Sequence, residues 1–412
     1  MSKQHRFRLW GLSSLNACIM LVITFLWLGM TYTFDDEAFF IKWTALTKKS
    51  LLGFDPKPDP EEVLFVDISM SKTVINQPNE AGMLSPYHRL VVTDRGHLTE
   101  FLEMIRPFRE ETRLVVLDVL LDQPTEQDSS LQTAVDALGD KLLGITHYTK
   151  ETGLLPSVIA FNQQAVATYR TTQGMFMKYP LLFQDSVKTV PLSMYELLQS
   201  DALDRSGWFY RLQRGISLPN PIVDYKVRKS DFRVGSNLGE SNFTIWKMGS
   251  LLEYQALLPP EMQAEFFRDR IVLIGDFAND LHTTPFGISP GPLLIYNAYL
   301  SLEEGNSIVS LWWILLLFIG YWIISWRAFN DIEIEPPQWL AKSLDSRVGR
   351  LVLNTIDDAF LLVLLTVLSY FFFNIHITIL ILLLYIKAAE FCWNQYVKFK
   401  TRKRSYHENA TA

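Results

Sequence analysis

Arg270-Ile-Val-Leu-Ile-Gly275-Asp276 decides how this chain is read, together with the segments just C-terminal to it: Asn279-Asp280-Leu-His282-Thr-Thr284-Pro285-Phe-Gly287, Pro290-Gly291-Pro292 and Ile295-Tyr-Asn297-Ala-Tyr-Leu300. Residues 271–274 form a short, unbroken apolar run closed by glycine, the pattern of a strand buried on both faces. Residues 276–292 are rich in Gly, Pro, Asp and Thr and read as a loop. Apolar residues return at helical spacing over 293–302, and the chain then enters an apolar block at 308–326. A buried strand, a polar loop and a helix leading into such a block describe the last unit of a water-soluble domain attached to a bilayer.

Working outward toward the N-terminus, 141–145 and 114–122 are further strand candidates, the second being Leu-Val-Val-Leu-Asp118-Val-Leu-Leu-Asp122. Residues 128–138 carry helical spacing between them. Asp94-Arg95-Gly96-His97 opens another helix, with Leu98, Phe101, Leu102 and Ile105 on one face, and 63–68 is the first strand. Strand and helix alternate, which predicts a mixed α/β core with parallel pairing. Residues 76–86 read as loop, 190–200 as a helix and 223–225 as a strand. The aromatics Tyr169, Tyr179, Tyr195, Trp208, Phe209 and Tyr210 stand among short β-like runs.

The composition agrees with a membrane attachment. Of 412 residues 49% are hydrophobic and 27 are Phe, above what a soluble protein carries. The net charge of −6 has mixed signs and gives no reason to expect a nucleic-acid partner. Cys18 and Cys392 both fall in or beside apolar stretches, so the central region holds no disulfide and no thiolate metal site. Lys3, Arg6 and Arg8 precede an apolar stretch over 9–33, long enough to cross a hydrocarbon core of about 30 Å. It has no small-residue cleavage site after it and reads as a retained signal anchor. Further spans are expected at 308–326, 355–373 and 377–393. Arg327, Lys342, Arg347 and Arg350 lie in the linker 327–350, and Lys398, Lys400, Arg402, Lys403 and Arg404 lie in the tail. Four spans with both termini in the cytoplasm satisfy all these basic clusters at once.

The expected organisation is therefore a short cytoplasmic tail and first transmembrane helix (1–33), an extracytoplasmic domain (34–307), three transmembrane helices with a cytoplasmic linker (308–393) and a basic cytoplasmic tail (394–412). Within the middle segment, Asp94-Arg95-Gly96-His97-Leu98, the strand ending Val116-Leu117-Asp118-Val119-Leu120, and Asp128 with Leu131 and Ala134 occur in a fixed order. Arg270 to Gly275, Thr284-Pro285-Phe-Gly287, Pro290-Gly291 and Tyr296-Asn297-Ala298 with Leu300 complete the series. In these motifs the segment resembles a CHASE2 domain, an extracellular sensory module of bacterial histidine kinases, adenylate cyclases and serine/threonine kinases. The resemblance implies an α/β extracytoplasmic sensory fold with one span before it and about three after it, in a bacterial inner membrane. In the signalling relatives a kinase or cyclase follows the last span, whereas only 395–412 follow here. The expectation is a sensor or adaptor without enzymatic activity that signals through a separate cytoplasmic or membrane protein. Contact with membrane lipid and a homodimer are further expected partnerships. A structural envelope subunit, docking through the same domain, is the alternative.

Candidate site residues are taken from strand ends, because ligands of parallel α/β sheets bind beyond the carboxyl ends of the strands. Asp118, Asp122, Asp276, Asp280 and His282 stand there, with Thr284 close behind. Carboxylates with a histidine suit a cationic ligand. The same residues equally suit helix caps and loop hydrogen bonds. No Gly-x-Ser-x-Gly, phosphate loop or His-Glu-x-x-His occurs, and no second histidine stands at metal spacing, so no catalytic residue, cofactor or metal is assigned. Asp357, Asp358, Lys387 and Glu390 are candidates of a second kind, ionisable groups in or beside apolar spans. Lys387 and Glu390 are spaced to pair on one helix face.

Overall fold

The computed structural model describes residues 3–30, 35–78, 84–149, 153–168, 171, 174–184, 186–206, 209–212, 214–232, 243–330 and 347–411. Tyr169, Trp208 and most of the linker, with Lys342, lie outside them. In chain order, helices α1 (Lys3–Leu28) and α2 (Asp35–Leu46) come first. Strands β1 (Val63–Asp67), β2 (Lys72–Pro78) and β3 (Leu84–Thr93) follow, then α3 (Arg95–Ile105), β4 (Leu114–Asp118), α4 (Asp128–Leu138), β5 (Leu142–Thr146) and β6 (Gln163–Val166). Next are α5 (Val190–Gln199), β7 (Ile245–Lys247), α6 (Met248–Ala256), α7 (Pro260–Phe267), β8 (Ile271–Gly275), β9 (Leu281–Thr284), β10 (Gly287–Pro290) and α8 (Gly291–Glu303). Helices α9 (Leu311–Asn330), α10 (Arg347–Phe373) and α11 (Ile379–Thr411) close the chain.

Two compact units result: one comprises 49–214 and 221–307, the other 1–48, 215–220 and 308–412. In the first, six strands form one sheet in the order β7-β1-β8-β4-β5-β6, every pair parallel. β8 is central and in register with both neighbours, Val272 beside Leu64 on one side and Val115 on the other. Alternate side chains leave such a strand on opposite faces. Val272 and Ile274 join Val115, Leu117, Leu64 and Val66 in a core closed by Leu98, Phe101 and Leu102 of α3, Leu131 and Val135 of α4, and Met248 and Leu251 of α6. Helices α5 and α8 pack together on the other face, α8 against β8 and α5 against β4, β5 and β6. The unit is thus a three-layer α/β/α sandwich.

The local signals explain these elements. Asp94 caps α3 by accepting hydrogen bonds from the backbone N–H groups of Gly96 and His97 (2.8 and 3.2 Å). Arg95, 1% exposed, donates to the Thr93 carbonyl (3.2 Å) and lies 3.4 Å from the Asp128 carboxylate, tying the start of α3 to the start of α4. Three expectations need correction. Residues 76–78 and 84–86 are strand, not loop: they belong to the β2–β3 ribbon, whose register sets Val74 opposite Val91. Residues 276–292 are not all loop either, since β9 and β10 form a hairpin. Residues 223–225 are not a strand. The Val223 N–H is held by the Met177 carbonyl, and Asp224 forms a buried ion pair with Lys49 (2.5 Å).

The second unit is helical. α1 packs along α9, where the Asn16 amide donates to the Ser325 hydroxyl (2.8 Å) and the Thr24 and Tyr321 hydroxyls share a hydrogen bond (2.8 Å). The Tyr385 hydroxyl donates to the Asn16 carbonyl oxygen (2.7 Å), which brings in α11, and Trp313 Nε1 donates to Ser369 (2.7 Å), which joins α9 to α10. Such bonds join helices where apolar surroundings supply no competing water. Among the described residues, three helices, not four, are long and apolar enough to cross a membrane: Leu9–Leu28, Leu311–Asn330 and Thr355–Phe373. The expected fourth span at 377–393 fails because the apolar run of α11 stops at Ile386. Lys387 and Glu390 follow, and the helix continues into polar sequence.

If β8 and its helices form one cooperative core, Phe101→Ala removes a fully buried ring from it. We expect a loss of about 3–5 kcal/mol in denaturant unfolding of the α/β unit, against a change under about 0.5 kcal/mol for the exposed Glu253→Ala.

Candidate functional site

The strand ends of the parallel sheet bring one row of residues together. Gly275 closes β8 and stands in register with Asp67 of β1 on one side and Asp118 of β4 on the other. β4 leads to α4 on one face of the sheet, whereas β8 leads through the β9–β10 hairpin to α8 on the opposite face. Adjacent strands whose connections leave to opposite faces open a crevice between them, the usual ligand position in open α/β sheets. Asp118 sits at this point.

Close packing builds the crevice. A Cβ at Gly291 would overlap the Asp280 carboxylate, and a Cβ at Gly275 would overlap the Pro292 ring and come within 3.2 Å of the Asp118 Cβ. Glycine at these two positions therefore lets Asp280 lie on the first turn of α8 and lets α8 abut the end of β8. The Gly291 N–H donates to the Asp280 carbonyl (2.8 Å), fixing the hairpin to the helix. Asp280 also holds the His282 ring, Oδ1 to Nε2, at 2.9 Å.

The electrostatics separate the candidates. Asp118 keeps some open surface but is enclosed by protein on nearly every side. This desolvation, with the nearby Asp280 carboxylate adding to it against a smaller opposing effect of His282, pushes its carboxyl up to about 8. No described residue donates a hydrogen bond to it. The hydrogen bond from the His282 ring to the Asp280 carboxylate raises the pKa of His282, against the cost of burial, and the Asp280 and Asp118 charges act in the same direction. His147, just past β5, is shifted down by burial, although Asp280 and Asp122 pull the other way. His147 belongs to this cluster and was not among the sequence candidates; its place just past the end of strand 142–146 was the available signal.

Asp276 and Thr284 do other work. Asp276 accepts from the backbone N–H groups of Ala278 and Asn279 (3.1 and 2.8 Å) and pairs with Lys72 (3.2 Å). Burial raises its pKa, but the Asn279 and Lys72 contacts outweigh this and hold it below the usual value. The Thr284 hydroxyl donates to the Gly287 carbonyl (2.7 Å) and accepts from the Phe286 N–H (3.1 Å), shaping the hairpin turn. Asp67 takes a similar ordering role, accepting from the N–H groups of Ser69 and Phe277 (2.9 and 3.1 Å). Asp122 accepts from its neighbour Gln123 (3.2 Å). Among the described residues, no group of three or more His, Cys, Asp and Glu is placed to hold a metal ion.

In the helical unit the four membrane-charge candidates are ion-paired. Lys387 bridges Asp358 (2.7 Å) and Glu390 (3.0 Å), and Asp357 pairs with Arg327 (3.5 Å). The Lys387–Glu390 pair follows from helical spacing, while the two partners on other helices do not. Spacing also gave no sign of a second buried pair, His376 with Glu37 at 3.8 Å, both essentially fully buried.

Asp118 yields a signed pH prediction. Unfolded, its carboxyl ionises near the ordinary value of 3.8; folded, it keeps its proton up to about 8. Unfolding therefore releases a proton in this window, so stability falls as pH rises from about 4 and the loss is complete above about 8. His282 has the same sign: its stabilisation is full below the ordinary 6.5 and fades as pH rises through its raised value. Asp118→Asn should melt well above the wild type at pH 8.5 and converge with it near pH 4, in thermal unfolding of the full chain in detergent.

The family model of the CHASE2 domain matches residues 17–329, which takes in the whole α/β unit and, from the helical unit, α2 with parts of α1 and α9. Neither a curated protein nor a solved structure matches the chain. CHASE2 domains are extracytoplasmic sensory domains. On the extent of this match the chain belongs to the CHASE2 domain family.

Proposed function

We propose that this protein is a membrane-anchored sensor or adaptor. Its α/β unit binds a ligand or a protein outside the cytoplasm, and its helices pass that state to a separate output protein. The carrying observation is a carboxylate–histidine crevice at the switch point of a sensory-family sheet. Its connection to α8 is fixed by Gly291, and the chain of α8 continues within a few residues into the apolar helix α9. We propose a bacterial inner membrane with the α/β unit on the periplasmic side, as the basic residues in the first turns of α1, before its apolar span, favour a cytoplasmic N-terminus. Leu15, Ile19, Val22 and Leu26, the exposed face of α1, suit lipid tails.

One observation favours the alternative, a structural envelope subunit. Val74 and Val91 face each other across the β2–β3 ribbon and are 57% and 63% exposed, an apolar spot on a strand pair outside the main sheet.

Two measurements separate these readings. A small-molecule screen at fixed pH on the detergent-purified full chain should yield compounds that raise the melting temperature of the wild type and not of Asp280→Asn. Photo-crosslinking from position 91 in living cells should then give no stoichiometric adduct. An empty screen together with one dominant protein adduct at position 91 would replace the sensor with the docking subunit.

A further inference from the structure

The residues of the crevice form one contiguous stack. Asp118, at the end of β4, lies against Gly275 and through it against Pro292; Gly291 precedes Pro292 and carries the Asp280 carboxylate on its Cα; Asp280 holds His282. Asp280 is thus confined on one side by the first turn of α8 and exposed on the other to the charge of Asp118. With nearly half of its side chain exposed, its way out from Asp118 is off Gly291 and into water. The 276–290 segment is tied to the body of the unit by the Phe176 N–H to the Thr283 carbonyl (2.8 Å), the Gly291 N–H to the Asp280 carbonyl, the Phe277 N–H to Asp67 and the Lys72–Asp276 ion pair, with the Phe277 and Phe286 rings packed on Phe65 and Tyr225.

We propose that protons regulate this site: the Asp118–Asp280–His282 stack is an acidity-controlled latch that holds the 276–290 segment and the start of α8 against the sheet edge. This rests on the sensor reading above and names its regulation. On the acid side Asp118 is neutral and the Asp280 carboxylate is balanced by the His282 imidazolium, so the stack carries no net charge. Raising the pH removes the protons of His282 and Asp118. Asp118 then carries a charge enclosed by protein beside the Asp280 carboxylate, whose side chain is 44% exposed, and among the described residues no cation lies between them. Their repulsion acts on Asp280 and drives it outward, off Gly291, which loosens the seat of the hairpin on the start of α8.

The other charged groups around the stack do not supply the missing cation. From the loop after β4, Asp122 adds negative charge. From β5, His147 is held toward its neutral form by burial. At the end of β1, Asp67 is occupied by Ser69 and Phe277. From β2, Lys72 is engaged by Asp276. The folded pKa of Asp118, about 8, puts the transition on the mildly alkaline side of neutrality. Its partner His282 titrates above its ordinary 6.5.

The test is hydrogen–deuterium exchange of the full chain in detergent at pH 6 and pH 8.5, with rates in peptides covering 276–290 corrected for intrinsic exchange. One unit of pKa coupling corresponds to about a tenfold change, so the wild type should lose about tenfold or more protection in these peptides between the two pH values. Peptides covering β4 and β5 should stay unchanged. Asp118→Asn, an isostere that cannot ionise, should keep the hairpin protected at both. A flat wild-type profile overturns the latch, and so does an Asp118→Asn protein that loses protection as the wild type does. Neither result touches the sensor reading, which stands or falls on the ligand screen at fixed pH. An empty screen beside a clear wild-type transition removes the sensor and leaves a pH-responsive docking domain.

Discussion

The insertion of residues 271–275 between two strands from much earlier in the chain is the constraint on which the α/β unit depends. β8 hydrogen-bonds to β1 on one side and β4 on the other, and it supplies side chains to the cores on both faces. Without it the sheet divides into a β7–β1 pair and a β4–β5–β6 group, each with an open edge. The crevice depends on the same insertion. Only because β8 lies beside β4, with their connections leaving to opposite faces, do Asp118 and the 276–290 segment meet.

Two polar clusters in this protein obey the same rule, that buried charge needs a partner, and satisfy it differently. Around Asp55 and Asp224 the rule is met in full. Lys49, Lys57, Lys226 and Arg228 surround the two carboxylates, and although burial raises the pKa of Asp55, the lysines outweigh it and hold it below the usual range. This network is a fixed part of the structure, since removing one member would strand the others. At the crevice the rule is met only by proton uptake, because Asp118 faces a carboxylate whose histidine is already engaged. A group left in that condition at the end of a strand, in a sensory family, is where a regulated response is to be sought.

What the sequence revealed depended on the range of the interactions. The strands at 63–67, 114–118, 142–146 and 271–275 are unbroken apolar runs, and their burial on both faces writes itself into composition. The capping of α3 by Asp94 is equally local. The β2–β3 ribbon was hidden because its strands alternate polar residues on both sides, with proline at Pro78 and Pro86, so their pairing is a property of the partner strand. The hairpin at 281–290 was hidden for the same reason: Thr284 and Gly287 are turn residues whether or not strands flank them. Asp118 and Asp280 were visible as candidates, but the part of Gly291 in placing Asp280 and the presence of His147 came from contacts between distant segments. In the helical unit the missing distinction was one of length: 377–393 begins like a span, yet its apolar run is cut at Lys387, which pairs with Asp358 on the preceding helix.

The order of strands along the chain bears on how such a protein is made. β1, β4, β5 and β6 emerge from the ribosome long before β8, and until it follows they have no central partner to pair with. Until residue 275 has passed, the strands Val63–Asp67 and Leu114–Asp118 present unpaired edges, apolar on both sides, to any other chain nearby. Non-local parallel pairing of this kind is also slow to form. A nascent domain arranged in this way stands to gain from a holding chaperone, and from a delay between the emergence of residue 275 and that of α9, more than one whose neighbouring strands follow one another in sequence.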